Sequence, residues 1–166
     1  MSSTDLARLI DANAAPLVLY ARQWCEAAED VVQEAFVKLV QQRRAPVDDV
    51  AWLYRVVRNG AIDAAKTARR RQHRELAAAR PVRWFVEREV DGLDAETAVA
   101  ALERLAPEQR EVIVAHLWGG LTFDQIAEIA GTSSSSAHRL YHAGLLALRE
   151  RLGVPCRSKT PRPNQK

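Results

Sequence analysis

A chain of 166 residues has room for one domain or two small ones, and 48% hydrophobic residues with only 6% aromatics and 7 glycines favour helix over strand. Two distant cysteines, Cys25 and Cys156, exclude a disulfide framework and a structural zinc site, and no apolar run reaches membrane-spanning length. The formal charge of +3 is modest, but residues 51–80 hold eight basic side chains against two acidic ones, a local +6 that favours a polyanionic partner through counterion release. A solvated helix face would show the same clustering. No signal-peptide core follows Met1, so a soluble cytoplasmic protein without membrane insertion is expected.

In chain order, Asp5 can cap a first helix carrying Leu6, Leu9 and Ile10, with Pro16 restarting or bending it and Leu17, Tyr20 and Trp24 continuing the apolar side. A second helix places Val31, Val32, Ala35, Phe36, Leu39 and Val40 on one stripe. Its other face holds Asp30, Gln33, Glu34, Lys38 and Gln41. Pro46 ends that segment. Asp48 or Asp49 can cap a third helix starting near Val50, with Leu53, Val56, Val57 and Ile62 as core candidates and a basic run from Lys66 to Arg74. Residues 75–94 break periodicity with Pro81 and Gly92 and read as a connector. Trp84 and Phe85 there either pack on a flanking domain or form a docking patch for a regulator.

A second block follows. One helix is expected over residues 95–105. Pro107 suits the first turn of the next, with Val112, Ile113, Leu117 and Trp118 inward, and Gly119-Gly120 stops it. Thr122 with Gln125 forms a capping box for a short helix. Ser133 caps a last helix that ends near Leu152, before Gly153 and Pro155. Ala127, Gly131, Ala137 and Leu140 fit the mask of a DNA-reading helix-turn-helix: a small residue at the crossing, a turn glycine, and two inward positions on the second helix. The outward residues Ser134, Ser135, His138, Arg139 and His142 can hydrogen-bond phosphates or base edges. The tail is basic and Pro-rich, and disorder is expected there. The expected organisation is therefore all-α: a helical domain over 1–76, a linker over 77–94, a helix-turn-helix domain over 95–153 and a basic tail over 154–166.

Four strings carry a family resemblance. Residues Ala28 to Leu39 (AEDVVQEAFVKL) resemble a core-polymerase-binding helix, and Ala51 to Asn59 (AWLYRVVRN) resemble the segment that follows it. Residues Leu105 to Val112 (LAPEQREV) and Gly120 to Ala127 (GLTFDQIA) resemble the opening of a promoter-reading domain. Together, in this order, they resemble a bacterial RNA polymerase sigma factor of the small extracytoplasmic-function (ECF) type, which keeps only regions 2 and 4. The resemblance implies a transcription initiation factor that performs no chemistry and needs no cofactor. It implies that core RNA polymerase is gripped at its β′ clamp helices through Asp30, Gln33, Glu34 and Lys38, with the β flap as a further contact. It implies that Arg55, Arg58, Asn59, Lys66, Arg69 and Arg70 meet the −10 element, where a base of one strand is extruded, and that residues 43–49 form the loop capturing it. Trp52 and Tyr54 can stack on bases there, although Trp52 also fits a core position. The −35 duplex falls to Ser134, Ser135, His138, Arg139 and His142. Such factors are commonly held by an anti-sigma partner or other regulator.

The last helix departs from the family pattern: several usually basic positions are histidine, leucine or alanine, which implies weak −35 binding or a groove read through Ser, His138 and Arg139. Leu145 and Leu146 there can instead pack on a partner. His138 and His142 share a helix face, but no carboxylate or cysteine completes a metal site. A stand-alone helix-turn-helix regulator and a helical adaptor that has lost strong DNA binding are the competing classes. An enzyme is the least compatible, since no nucleophile–base set or P-loop is present. Two isolated cysteines are weak grounds for redox sensing.

Overall fold

The computed structural model describes residues 2–75 and 100–152, and among them every regular element is helical. Helix α1 (Ser3–Ala21) starts in a capping box: the Asp5 N–H donates to Ser2 Oγ at 3.1 Å and the Ser2 N–H returns the bond to the Asp5 carboxylate at 3.2 Å. Ser2 is thus the cap, and Asp5 the third helical residue rather than the cap expected for it. Pro16 does not restart the helix, which runs through it without a break. The proline's missing N–H frees the carbonyl of Ala12, an exposed residue whose carbonyl can turn to water instead.

Helix α2 (Ala28–Val40) buries Val32, Ala35, Phe36 and Leu39 as its periodicity dictates. Val31 is half-buried, and Val40, expected in the stripe, is exposed because the stripe outlasts the helices it packs on. Glu29 and Asp30 in the first turn and Lys38 in the last complement the helix dipole. Helix α3 (Asp49–Glu75) is capped by Asp48, whose Oδ1 accepts from the Ala51 N–H at 2.9 Å. Its first half buries Leu53, Tyr54, Val57 and Ala61, while Lys66, Arg69, Arg70 and Arg71 leave the core and stand exposed. These helices pack pairwise into one bundle.

The second unit comprises α4 (Pro107–Leu117), α5 (Phe123–Ala130) and α6 (Ser134–Arg151), preceded by a helical stretch over 100–103. Pro107 occupies the first turn of α4, where its missing N–H costs nothing. α4 departs from a one-sided amphipathic pattern: Glu111, Val112, Ile113, Val114 and Ala115 are all buried. Leu117 and Trp118, expected inward, are exposed. The reason is that α4 lies between α1 on one side and α6 on the other, so a full turn is covered at mid-helix and its C-terminal end emerges.

Gly120 turns the chain at φ +65°, and Thr122 caps α5 through the Gln125 N–H, with Gln125 closing the box at 2.7 Å. Gly131 ends α5 in the left-handed region at φ +69°, and Ser133 caps α6 through the Ser136 N–H at 3.2 Å. Ala127 and Ala137 are buried and Leu140 half-buried, as the helix-turn-helix mask requires. Where α6 crosses α4, Gly144 lets the helices approach closely: a Cβ there would lie 2.6 Å from Ile113 Cδ1, so the Ile113 side chain would have to move to admit one. A small cluster of Leu102, Leu105 and Ile113 fills this end.

The two units share one hydrophobic core. Leu17, Tyr20, Leu53, Tyr54 and Val57 are continuous with Val112, Val114, Ala115, Leu121 and Ile126. The expectations for the connector, for Trp84 and Phe85, for the basic tail and for Cys156 lie outside the described residues. Cys25 is buried and free, its thiol pushed up by burial, a setting for packing rather than redox reactivity.

Candidate polymerase and nucleic-acid interfaces

Three faces carry the residues singled out by sequence. On α2, Asp30, Gln33, Glu34 and Lys38 are all exposed, opposite the stripe that faces the core. Lys38 Nζ pairs with Glu34 Oε1 at 2.9 Å, an i, i+4 surface pair worth only a few tenths of a kcal/mol or so, which leaves the face free to exchange partners. Beside it, α1 and α2 enclose an apolar groove of about 530 Å³ lined by Leu6, Ile10, Val18, Phe36 and Val37 among others, with Gln33 on its rim.

The α3 face is divided. Asn59, Lys66, Arg69 and Arg70 are exposed, Lys66 pairing with Asp63 at 3.3 Å. Arg55 and Arg58 are instead held by the second unit. Arg55 Nη2 lies 2.5 Å from Glu128 Oε1 of α5, and Arg58 Nε donates to Glu111 Oε1 of α4 at 2.6 Å. The same Glu111 oxygen accepts from the Tyr20 hydroxyl at 2.8 Å. Burial alone would lower the Arg58 pKa, but the hydrogen bond and charge of Glu111 outweigh it and hold the guanidinium firmly protonated. Burial, then the neighbouring carboxylate, push the Tyr20 phenol well above its ordinary range, so it remains a donor. Arg58 also lies over the Trp24 ring at 5.9 Å. In the loop before α3, Asp48 accepts from Gln125 Nε2 at 2.6 Å.

Tyr54, a candidate for stacking on bases, is fully buried against Tyr20 with ring centroids 4.8 Å apart, and cannot meet a base in this arrangement. Trp52 is half-buried against the core, which fits its packing alternative.

On α6, Ser135, His138, Arg139 and His142 are exposed and Ser134 half-buried, so one polar face points away from the body. Arg139 donates to Ser136 Oγ at 2.9 Å, and the His138 and His142 Nε2 atoms are 3.1 Å apart. Beneath them, His116 stacks on Phe123 at 4.5 Å and meets the Tyr141 edge, bracing α6 against α4 and α5. Leu146 is exposed and Leu145 half-buried on the same helix. Among the described residues, no cluster of three or more His, Cys, Asp or Glu is placed to hold a metal.

The family model for Sigma-70 region 2 matches residues 9–71, and that for Sigma-70, region 4 matches residues 95–148. The ECF RNA polymerase sigma factor SigL of Mycobacterium tuberculosis is 31% identical over 158 residues, 88% of this chain and 89% of that one. The chain belongs to the ECF sigma factors. SigJ from the same organism is 33% identical over 127 residues, covering 68% of this chain, and the chain spans only 39% of the length of SigJ. The sigma factor RpoE of Bartonella quintana, solved in complex with the anti-sigma factor NepR, shares the fold with a TM-score of 0.67 at 21% identity, over 90% of this chain and 98% of that chain.

In this sigma factor α1–α3 carry the region 2 match and α4–α6 lie in or overlap the region 4 match. Sequence reasoning missed Glu111 and Glu128 altogether, and it placed Tyr20, Asp48 and Gln125 only in local roles, without their contacts between the regions. One signal was available: Glu111 opens the apolar run Val112 to Ala115, an acid where the flanking pattern is core.

Proposed function

We infer that this sigma factor lends promoter recognition to core RNA polymerase, with the division of labour set by its exposed faces. Asp30, Gln33 and Glu34 on α2 grip the β′ clamp helices, and region 4 meets the β flap. The α3 face, through Arg55, Arg58, Asn59, Lys66, Arg69 and Arg70, takes the −10 strand: guanidinium and ammonium groups for phosphates, and the Asn59 amide for a base edge. The α6 face, through Ser134, Ser135, His138, Arg139 and His142, reads the −35 duplex in the major groove. The chain makes and breaks no bonds; the polymerase does the chemistry, in the cytoplasm. An anti-sigma protein fits as regulator, since RpoE is solved bound to the anti-sigma factor NepR and CnrH, which shares the fold, is solved bound to the cytosolic domain of CnrY. No helix among the described residues is long and apolar enough to cross a membrane.

The observation that carries this reading is the coexistence, in one chain of the sigma family, of an acidic-amide face on α2 free of core contacts and a polar face on α6 free of them. The deciding experiment is binding to core polymerase by the wild type and by an Asp30→Ala, Gln33→Ala, Glu34→Ala triple variant. Tight binding lost in the variant supports the reading. Absence of binding by either form would return the chain to the class of stand-alone regulators.

A further inference from the structure

The exposed centre of α6 holds two imidazoles whose placement gives them a joint chemistry. His138 and His142 lie one turn apart on the exposed face, ring centroids 4.3 Å apart, with Nε2 facing Nε2 at 3.1 Å. We propose that the two rings act as one proton-sharing unit that holds a single DNA phosphate, so that duplex binding by α6 takes up one proton. This rests on the reading of α6 as the −35 face.

Two ring nitrogens at that distance hold one hydrogen between them: one Nε2 donates and the other accepts. The tautomers of the neutral pair follow. The donor ring has a bare Nδ1 and the acceptor ring an N–H there, so the pair offers DNA one donor and one lone pair. The lone pair repels a phosphate oxygen. Neither Nδ1 has a hydrogen bond among the described residues, and both rings are exposed. One proton added at the bare Nδ1 leaves the bond between the rings intact and makes it charge-assisted. Both Nδ1 atoms are then donors on a unit of one positive charge, which is what a guanidinium offers a phosphate. A second proton would set two N–H groups head-on across 3.1 Å, and the rings would have to part. The unit therefore takes one proton, and the titration belongs to the pair.

The surroundings leave the charge to be matched by DNA. α5 presents the Phe123 ring to His138 at 5.1 Å, with Asp124 next to it in the chain. α4 presents His116 behind that ring, its Nδ1 bonded to the Leu121 carbonyl at 2.7 Å. On α6 itself Tyr141 meets His142 in a T-shaped contact at 5.6 Å, and Arg139 is turned to Ser136 at 2.9 Å. None of the ion pairs among the described residues includes either imidazole of the pair. A phosphate thus supplies the counter-charge that the protein does not. Linkage makes the exchange reciprocal: the proton strengthens DNA binding and DNA strengthens proton binding.

The test is the affinity of the full chain for a fluorescein-labelled mixed-sequence duplex at constant ionic strength, with a chelator present, from about pH 8 to about pH 5, where imidazole changes charge. The variants are Arg139→Ala and His138→Gln/His142→Gln, the second of which keeps polar side chains and removes both titrating rings. His73 and His116 stay in every protein, so what they add cancels in the comparison. The wild type is expected to gain affinity as pH falls, more steeply than the glutamine variant by up to about tenfold per pH unit, the ceiling for one proton. Arg139→Ala should weaken binding throughout and keep that steepness. An excess beyond about tenfold per pH unit needs two protons and overturns the shared one. No excess, with Arg139→Ala still weakening, overturns the proposal and leaves α6 as the duplex face. No effect of either variant overturns both. A readout that needs no variant is the ring-nitrogen NMR spectrum of the free wild type at about pH 8, where Nε2–H on one ring and Nδ1–H on the other is expected. Nε2–H on both rings overturns the pair.

Discussion

Arg58 and Glu111 stand 53 residues apart in sequence and 2.6 Å apart in space, and the pair fastens α3 to α4. Glu111 is almost wholly buried and Arg58 largely so, which sets this pair apart from the surface pair of Arg55 with Glu128. A double-mutant cycle on Arg58→Ala and Glu111→Ala, read by urea unfolding, is expected to return a coupling of about 1–3 kcal/mol. The Glu111 single variant should be the more damaging, because it strips Arg58 and the Tyr20 hydroxyl of the same acceptor. A coupling below about 0.5 kcal/mol would place the two side chains apart in solution.

Tyr54 predicts the opposite sign. Its hydroxyl is buried without a hydrogen-bond partner among the described residues, and burial raises its pKa. Deleting an unsatisfied buried hydroxyl removes a desolvation cost of about 1–3 kcal/mol, so Tyr54→Phe should leave stability unchanged or raise it. A clear drop in the urea midpoint would show that the hydroxyl is bonded.

The helix-turn-helix supplies two local tests. Thr122→Ala breaks the box that starts α5 and should cost about 1 kcal/mol. Gly131→Ala meets no atom within 4 Å, yet its φ of +69° is unfavourable for any side chain, so a cost of about 1–2 kcal/mol is expected from backbone strain alone. Thermal unfolding of the full chain measures both.

Cys25 should be slow to alkylate. Burial both hides the thiol and disfavours its thiolate, the reactive form. In a Cys156→Ser background, iodoacetamide is expected to label the native protein far more slowly than the urea-unfolded one. Because the folded thiol titrates above its ordinary value, the native rate should still be climbing at pH values where the unfolded rate has levelled. Equal rates would refute the burial.

If α6 reads the −35 duplex as proposed, weak binding is expected, because its exposed centre holds histidines and a single arginine. Duplex affinity of the full chain should be poor at physiological salt, and Arg139→Ala should flatten the log–log salt dependence by about one. Nanomolar binding with an unchanged slope would contradict this.

Local chemistry was readable in the sequence; the meeting of the two regions was not. Thr122 with Gln125, Gly131, and Ser133 each act on backbone within four residues, so their roles follow from spacing alone. Ser2 displaced Asp5 as the cap because the choice between a cap and its third-position partner turns on one residue of register. Leu117 and Trp118 were misplaced for a different reason. α4 is covered by α1 as well as α6, and a helix buried from two sides has no single stripe for periodicity to find. The same docking converts Arg55 and Arg58 from free cations into paired ones, which composition cannot reveal.

Gly144 touches no partner and yet governs how α6 is aimed. The absent side chain lets α6 rest directly on Ile113 of α4, and that point acts as a fulcrum. Ser134 lies ten residues away, an arm of about 15 Å. A methyl at the fulcrum obliges the tip of the Ile113 side chain to turn aside, whereas a larger group, with Gln109 Cβ also close, would rock the helix, and a few degrees there become an ångström or so at the tip. On the proposed reading of α6, the pitch of its polar face is thus set by a residue that lies outside that face.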